Sequence, residues 1–427
     1  MVANRRSSGS AASAALLLIS AAWAFLFGGC AVAPPRADLS PAAPPGEAAP
    51  AVPPGPPSPA GPQADAAARQ LPTVRSGVAP GRPVRVLLGE GRKEISVAGE
   101  TIRAWSFNGA LAAEGSGTVS LAAIGDKILW GREKSLSSPI DVASPSGLRL
   151  GGKQLVGRVR ISARKGRLFA VAVVPLEDYV TAVVSREAPR SFHREALCAL
   201  AVAVRTYAML AMEKPRDPAH DVVGGVEDQV FDGMDDAGGD FRQAALSTAG
   251  EVLSYRGGLA RTVYHSTCGG ATENAKDAWG TEVPYLRSLA CDDCIASPAR
   301  RWDYRMSAQE GRRVALLLGV RADGAVTLEI TGRSSTGRAS RVSISSGRVT
   351  REVSAAAFRR EAGYARVRSL KMEIVPVGNG WVFAGRGYGH GVGMCQWGAN
   401  GMAKNGRTYR QILARYYPDT ALARGIP

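Results

Sequence analysis

The alternation of apolar and polar positions divides the chain into strand-like runs on either side of a helical centre. Short apolar or alternating runs separated by glycine-containing breaks predict strands, and breaks at this frequency favour antiparallel pairing. Before the centre these runs cover 83–88, 95–97, 102–105, 118–121, 148–150, 157–161 and 168–173. After residue 300 they cover 315–318, 326–330, 341–344 and 381–383.

The centre of the chain predicts two consecutive helices. Pro175 suits the first position of a helix, and the acidic Glu177 and Asp178 favour the positive end of its dipole. This helix ends before Pro189, because proline disfavours the α conformation in the residue that precedes it. Ser191 is the predicted N-cap of a second, longer helix with an apolar stripe. We therefore predict the α+β class: a strand-rich, mostly antiparallel protein with these helices embedded between β segments.

The N-terminal residues predict export. Arg5 and Arg6 precede a short apolar run that ends in small residues and Cys30, which is typical of a bacterial lipoprotein signal peptide over residues 1–30. In this interpretation Cys30 carries the lipid and anchors the chain to a membrane of the cell envelope, at a periplasmic or outer surface. Phe27 stands where such motifs usually have leucine, so plain secretion is the alternative.

Residues 31–78 are rich in proline and alanine and have almost no apolar periodicity, so they predict an extended linker. The length of 427 residues suggests about two folded regions after it. We assign a β-rich N-terminal region to 79–170 and a second domain to 171–427, with a β-rich segment at about 300–383.

The charge of the chain does not identify a partner by itself. Its formal net charge of +16 comes mainly from dispersed arginines, and such a field attracts polyanions in general. A nucleic-acid-binding protein would carry a basic stripe or a known reader motif. Neither is present, and the export signal also argues against that partner, so we predict no nucleic-acid binding.

Three blocks of sequence carry a family resemblance. Val174–Tyr207 contains VPLEDYV and AVRTYA, Tyr264–Glu273 is YHSTCGGATE, and Gly385–Ala399 is GRGYGHGVGMCQWGA. In this order the blocks resemble the SpoIID/LytB family. The resemblance implies a lytic transglycosylase that cleaves peptidoglycan glycan strands between N-acetylmuramic acid and N-acetylglucosamine and leaves 1,6-anhydro ends. It assigns that activity to the domain at 171–427.

The resemblance makes Glu187 the candidate catalytic acid and base. Its place at the junction of two apolar helices favours a position in a cleft, where desolvation would raise its pKa. Arg205 matches a family arginine and is expected to face substrate more than Glu187, because a close ion pair would lower the pKa of the acid. The other candidate cleft residues are Tyr207, His265, Thr272, Glu273, Tyr388, His390 and Gln396.

Two other functions stay open. The LytB branch of the family enhances an amidase, so this chain could bind glycan strands, and a cell-wall amidase, without cutting them. It could also be a structural lipoprotein that links the envelope to the wall through its proline-rich linker.

The cysteines beyond Cys30 need separate explanations. Cys198 is predicted to be a small buried apolar residue, and Cys395 a packing residue in its loop. Four other residues offer the nitrogen and sulfur ligands of a tetrahedral zinc site: His265, Cys268, Cys291 and Cys294. The alternative is a disulfide from Cys268 to Cys291 or Cys294, which an oxidising compartment permits.

Overall fold

The computed structural model describes residues 71–79, 81–321 and 323–426. The predicted signal peptide, its Cys30 and the predicted linker up to residue 70 lie outside these ranges. The last part of the predicted linker belongs to the fold, because the strand Thr73–Arg75 pairs in parallel with the C-terminal strand Ala421–Ile426.

The N-terminal strands follow the predicted alternation. In the strand Arg158–Arg164, Val159, Ile161 and Ala163 are buried, whereas the residues between them are more exposed. The strands of this part are β1 (Thr73–Arg75), β2 (Val84–Arg92), β3 (Glu94–Ser106), β4 (Leu111–Ile124), β5 (Lys127–Trp130), β6 (Lys134–Ser137), β7 (Ile140–Ala143), β8 (Leu148–Leu150), β9 (Lys153–Leu155), β10 (Arg158–Arg164) and β11 (Arg167–Val174).

The later strands are shorter and lie between helices. They are β12 (Val222–Val223), β13 (Glu251–Tyr255), β14 (Gly258–Leu259), β15 (Tyr264–His265), β16 (Trp302–Met306), β17 (Val326–Arg333), β18 (Ala339–Ser346), β19 (Val349–Ser354), β20 (Met372–Val377), β21 (Gly380–Gly385), β22 (Met394–Cys395) and β23 (Ala421–Ile426). The helices are α1 (Leu176–Glu187), α2 (Arg194–Glu213), α3 (Asp240–Ser247), α4 (Ala275–Trp279), α5 (Ala308–Leu317), α6 (Ala355–Ala362), α7 (Gln396–Lys404) and α8 (Tyr409–Tyr416).

The two predicted central helices are present. α1 begins directly after Pro175 and ends at Glu187. The cap of α2 is His193, whose side chain accepts a hydrogen bond from the backbone of Glu195, so the prediction of Ser191 as the cap is wrong by two residues. Among the helices of the described residues, α2 meets the length and composition of a membrane-spanning helix. However, 78% of its apolar stretch is buried within the fold.

Most of the N-terminal strands form one eleven-stranded sheet. Its main path is β12-β2-β11-β10-β7-β3-β4-β5-β6, and β8 and β9 branch from β3. Pairing along this path is antiparallel except between β12 and β2. The prediction of a strand-rich, mostly antiparallel α+β protein is confirmed.

One apolar core joins this sheet to the central helices. It includes Val84 and Val86 of β2 together with Val180 and Val183 of α1. The boundary predicted at 170/171 falls inside β11, and both ends of that strand contribute to the core. The predicted N-terminal region and the predicted second domain therefore share one core.

Residues 302–383 enclose a second, smaller core in which the rings of Phe358 and Phe383 stack 5.8 Å apart. The strand predicted at 315–318 is wrong, because this run lies at the end of α5. Ser307 and Glu310 form a capping box that starts the helix, and Val314 and Leu318, four residues apart, are buried. The capping box and the four-residue spacing of buried residues favour a helix more strongly than the apolar run favours a strand.

Candidate active site

A cleft of about 820 Å³ opens beside the C-terminal end of α1. Most of its wall comes from elements of the larger core, while Arg359 and Tyr364 come from the 302–383 segment. The predicted site residues that line it are Glu187, Tyr207, His265, Tyr388, His390 and Gln396. The cleft thus gathers residues from all three sequence blocks.

Glu187 is the last residue of α1, and its carboxylate lines the cleft. Its Oε1 accepts a hydrogen bond from the backbone N–H of Val230 (3.1 Å), and its Oε2 accepts one from Nε2 of Gln396 (3.3 Å). Burial raises the pKa of Glu187, and the two hydrogen bonds oppose this rise because they stabilise the charged form. Glu187 therefore keeps its proton to a higher pH than a solvated glutamate does.

A row of buried polar groups lies near Glu187. The Tyr179 hydroxyl donates to Oε1 of Gln229 (2.9 Å), and Nε2 of Gln229 donates to the Tyr264 hydroxyl oxygen (3.1 Å). Burial raises the pKa of both phenols well above the ordinary value, and the negative charge of Glu187 adds to this. A lone glutamine in a loop has no distinguishing pattern, so Gln229 is absent from the predicted site.

Asp228 is a second carboxylate in the cleft that the sequence analysis missed. Its Oδ1 accepts a hydrogen bond from the Tyr207 hydroxyl (2.6 Å) and pairs with Arg216, and its Oδ2 accepts one from the backbone N–H of Val223 (2.8 Å). Burial, followed by this contact with Asp228, raises the pKa of Tyr207. Both carboxylate oxygens are engaged by the protein, so Asp228 holds the loop in place.

His265 and His390 meet at the base of the cleft with their ring centroids 5.6 Å apart. Nδ1 of His265 lies 3.0 Å from the carbonyl oxygen of Val392, so Nδ1 carries the proton. Nδ1 of His390 accepts a hydrogen bond from the backbone N–H of Val392 (3.0 Å). Burial lowers the pKa of His265 well below its usual range and that of His390 to about 4, so both rings are neutral at pH 7.

The glycines of the third block are required by this close packing. Gly389 has a φ of +110°, and a Cβ at that position would lie 2.7 Å from Cβ of His265. A larger residue would therefore separate the two histidine-bearing loops.

An aromatic wall stands beside the histidines. The Arg261 guanidinium lies 4.9 Å from the ring centre of Trp279, and that ring lies 5.3 Å from the ring of His390. Trp279 is partly exposed and lines the cleft. Such a face suits the apolar side of a sugar ring. Neither Trp279 nor Arg261 was predicted, because each lies outside the three sequence blocks.

Arg205 does not face the cleft, so its predicted contact with substrate is wrong. Its side chain is fully buried, and its guanidinium donates to both carboxylate oxygens of Glu177 (2.8 and 2.6 Å) and to the carbonyl oxygens of Ala245 and Glu251. The apolar stripe of α2 turns this position inward. Arg205 ties α2 to the start of α1 and to the chain that follows α3.

Thr272 and Glu273 are also buried away from the cleft lining, which corrects their predicted role in binding substrate. Thr272 accepts a hydrogen bond from the backbone of Leu289 (2.8 Å). One carboxylate oxygen of Glu273 accepts from the hydroxyls of Ser334 (2.6 Å) and Thr336 (2.7 Å). Both residues fix loops that support the site.

The predicted metal ligands divide between two places. His265 lines the cleft, whereas Cys268, Cys291 and Cys294 join Cys395 in a buried cluster whose sulfur atoms all lie within 4.8 Å of one another. The ligand set with His265 is therefore wrong, because β15 and β22 pair in parallel and set Cys395 beside the cysteine loops.

The four-cysteine cluster has the dimensions of a zinc site. Sγ of Cys268 and Sγ of Cys294 are 3.6 Å apart, close to the ~3.8 Å that tetrahedral Zn–S bonds of about 2.3 Å produce. Sγ of Cys395 accepts hydrogen bonds from the backbone N–H groups of Cys268 and Gly398, both at 3.3 Å. The buried Arg338 guanidinium donates to the carbonyl oxygen of Cys268 (2.8 Å) and offsets negative charge there. All five cysteines of the described ranges are free thiols.

Comparison with known proteins identifies the family of the chain. Residues 164–255, which include Glu187, match the model of a family described as Stage II sporulation protein. The chain is 33% identical over 272 residues to an uncharacterized protein of Brachyspira hyodysenteriae, across 64% of this chain and 73% of that protein. It is 30% identical over 275 residues to stage II sporulation protein D of Bacillus subtilis, across 60% of this chain and 76% of that protein.

A further relative is the amidase enhancer of Bacillus subtilis, which is 28% identical over 336 residues. That match covers 66% of this chain but 46% of the enhancer. The match to stage II sporulation protein D spans most of that relative. The chain belongs to the SpoIID/LytB family.

Proposed function

We propose that this chain is a peptidoglycan lytic transglycosylase with Glu187 as its single general acid and base. Membership of the family supports a cell-wall-related role. The observation that carries the finer proposal is the desolvated Glu187 carboxyl at the end of α1, in a cleft of about 820 Å³. A raised pKa keeps this group protonated for the first step of the reaction.

Glu187 would act twice in one turnover. It first donates its proton to the oxygen between N-acetylmuramic acid and N-acetylglucosamine, and the bond from that oxygen to the anomeric carbon breaks. The carboxylate then accepts the proton of the muramyl 6-hydroxyl as the oxygen of that hydroxyl bonds to the anomeric carbon. The 1,6-anhydro ring closes, and Glu187 regains its proton. Because the nucleophile belongs to the sugar, a second catalytic carboxylate is not required.

The other groups of the cleft suit binding and orientation of the glycan. Asp228 is held by its donors, so it does not compete with Glu187 for the acid role. Trp279 offers a face for a sugar ring, and Arg261 stacked on it offers a positive charge for a substrate carboxylate. The neutral His265 and His390 can exchange hydrogen bonds with sugar hydroxyls without adding charge near the acid.

A glycan-binding amidase enhancer without lytic activity is the second candidate, because the Bacillus subtilis amidase enhancer is among the relatives. Such a protein would use the same cleft to hold glycan strands and would present them to an amidase. In either case the site of action is the cell envelope. The lipid anchor at Cys30 is part of this proposal and would hold the enzyme beside its substrate.

Zinc bound by Cys268, Cys291, Cys294 and Cys395 belongs to the same proposal. Four thiolates leave no open coordination position, so the metal would supply structural cross-linking. Cys395 directly precedes Gln396, and the metal would therefore fix the start of α7 next to Glu187.

Mass spectrometry of the products from purified glycan strands, with and without peptides, tests the proposal. We expect 1,6-anhydromuramyl ends from the wild-type protein and none from Glu187→Gln. Glu329→Gln, on the exposed face of β17, is the matched control and keeps full activity. Reducing ends in place of anhydro ends would overturn the mechanism in favour of hydrolysis. Binding of glycan without any cleavage would favour the amidase enhancer.

A further inference from the structure

The hydroxyl of Tyr264 has one hydrogen-bond partner among the described residues, and that partner is a donor. Nε2 of Gln229 donates to the Tyr264 oxygen at 3.1 Å, while none of these residues accepts the hydrogen of the Tyr264 O–H. Tyr264 is half-buried and lines the catalytic cleft, so this hydrogen is available to a bound substrate. A buried donor without an acceptor is unfavourable, and a substrate oxygen would satisfy it.

The orientation of the Gln229 amide follows from Tyr179 at its other end. The Tyr179 side chain is fully buried, and its O–H donates to Oε1 of Gln229 at 2.9 Å. If the amide were reversed, Nε2 would face Tyr179 and the Tyr179 hydrogen would be buried without an acceptor. The row of hydrogen bonds therefore runs in one direction, from Tyr179 through Gln229 to Tyr264, and it ends in the O–H of Tyr264 at the cleft.

The same short segment holds Tyr264 and the candidate acid. The side chain of Gln229 binds Tyr264, and the backbone N–H of the next residue, Val230, donates to Oε1 of Glu187 at 3.1 Å. Tyr264 and Glu187 also line the same cleft. Burial, followed by the negative charge of Glu187, raises the pKa of Tyr264 well above its ordinary value, so the phenol keeps its proton and acts as a hydrogen-bond donor.

We infer that Tyr264 is a further catalytic residue, whose O–H donates a hydrogen bond to the glycosidic oxygen that Glu187 protonates. This oxygen has two lone pairs, so it can take the proton of Glu187 on one and the hydrogen bond of Tyr264 on the other. As its bond to the anomeric carbon breaks, the oxygen gains negative charge, and the hydrogen bond is strongest in the transition state. The O–H bond of Tyr264 stays intact throughout. This inference rests on the proposed function.

Tyr264→Phe removes only the hydroxyl and tests this role in the full-length protein. On glycan strands without peptides we expect kcat to fall about 10- to 100-fold and KM to change by less than about twofold, because the hydrogen bond acts mainly in the transition state. Tyr304→Phe is the matched control. Its hydroxyl donates to Glu310 (2.9 Å) in the 302–383 segment, outside the cleft lining, so this variant keeps full activity.

A second substrate separates a catalytic role from a purely structural one. The 4-nitrophenyl glycoside of the disaccharide of N-acetylglucosamine and N-acetylmuramic acid closes the same 1,6-anhydro ring but releases 4-nitrophenolate, which leaves without a proton or a hydrogen bond. Tyr264→Phe should therefore cleave it at close to the wild-type rate. An equal loss on both substrates, or an unchanged kcat on glycan strands, overturns the inference, while anhydro ends from the wild type leave the proposed function standing. A wild-type protein that cleaves neither substrate overturns both.

Discussion

Nε2 of Gln396 donates a hydrogen bond to Oε2 of Glu187 across 3.3 Å, although the two residues are 209 positions apart in the chain. Gln396 is buried and is the first residue of α7, and the cap of that helix is Cys395 of the four-cysteine cluster. The protonation and orientation of the candidate acid therefore depend on a contact that the cysteine cluster holds in place.

Replacement of Gln396 by methionine removes this donor at similar size. Because the donor stabilises the charged carboxylate, its loss raises the pKa of Glu187 further and moves the alkaline limb of the kcat/KM profile to higher pH. We expect kcat to fall by about two- to tenfold, since the acid is less firmly oriented. Gln243→Met on the exposed side of α3 is the matched control. An unchanged pH profile in Gln396→Met would contradict the assigned role of this contact.

The raised pKa of Glu187 also predicts a pH-dependent stability. A carboxyl that holds its proton more tightly in the folded than in the unfolded chain stabilises the fold fully below its unfolded pKa, and this contribution is lost as pH rises through the folded pKa. Glu187→Gln cannot ionise, so its melting temperature at pH 7 should exceed that of the wild type by about 1–2 °C. The difference should disappear near pH 4. Calorimetry across this range is the measurement, with Glu329→Gln as control; a variant less stable at pH 7 would count against the desolvation of Glu187.

The local elements and the place of Glu187 could be predicted from sequence because both depend on short-range patterns. Pro175 and Pro189 bracket α1, and the apolar spacing within the helix follows directly from its period. The prediction of a strand at 315–318 was wrong because a capping box and a four-residue spacing of buried residues favour a helix there, whereas the apolar run favours a strand. Patterns a few residues long contain most of the information that determines the type and the ends of a helix or strand.

The partners of buried polar groups could not be predicted in the same way. Arg205 was expected in the cleft, yet the inward face of α2 gives it Glu177 as a partner. Cys395 joins the cysteine cluster only through the parallel pairing of β15 with β22, which no local pattern indicates. Long-range pairing determines which side chains meet, and sequence spacing carries little of that information.

Arg205 should matter for stability and not for substrate binding. Loss of the Arg205 guanidinium leaves the partly exposed Glu177 without its partner and the buried carbonyl oxygens of Ala245 and Glu251 without a donor, which together cost about 2–4 kcal/mol. We expect Arg205→Met to lower the free energy of unfolding by a comparable amount in urea titrations, while the KM of the folded fraction stays unchanged. Arg242→Met is the matched control, because its pair with Asp178 at 3.5 Å is half exposed and should contribute less than about 1 kcal/mol. A large rise in KM with little loss of stability would restore Arg205 to the substrate site.

Two variants distinguish the proposed zinc site of four cysteines from the ligand set predicted from sequence, which has His265 in place of Cys395. If the four cysteines bind zinc, His265→Ala retains the metal, whereas Cys395→Ser loses most of it, because serine is a poor ligand for zinc. The set that includes His265 predicts the opposite result for both. Cys198→Ser, a buried cysteine on α2 outside the cluster, controls for the loss of a thiol.

Zinc content of protein purified without chelator is the direct measurement, and the spectrum of the cobalt-substituted protein reports thiolate coordination independently of activity. We expect one metal ion per chain in the wild type, His265→Ala and Cys198→Ser, and less than half of that in Cys395→Ser. Because the cluster holds the start of α7, metal loss should also lower the melting temperature and weaken the contact of Gln396 with Glu187. Wild-type protein without zinc, in which Cys268 is oxidised to Cys291 or Cys294, would replace the metal site by the disulfide.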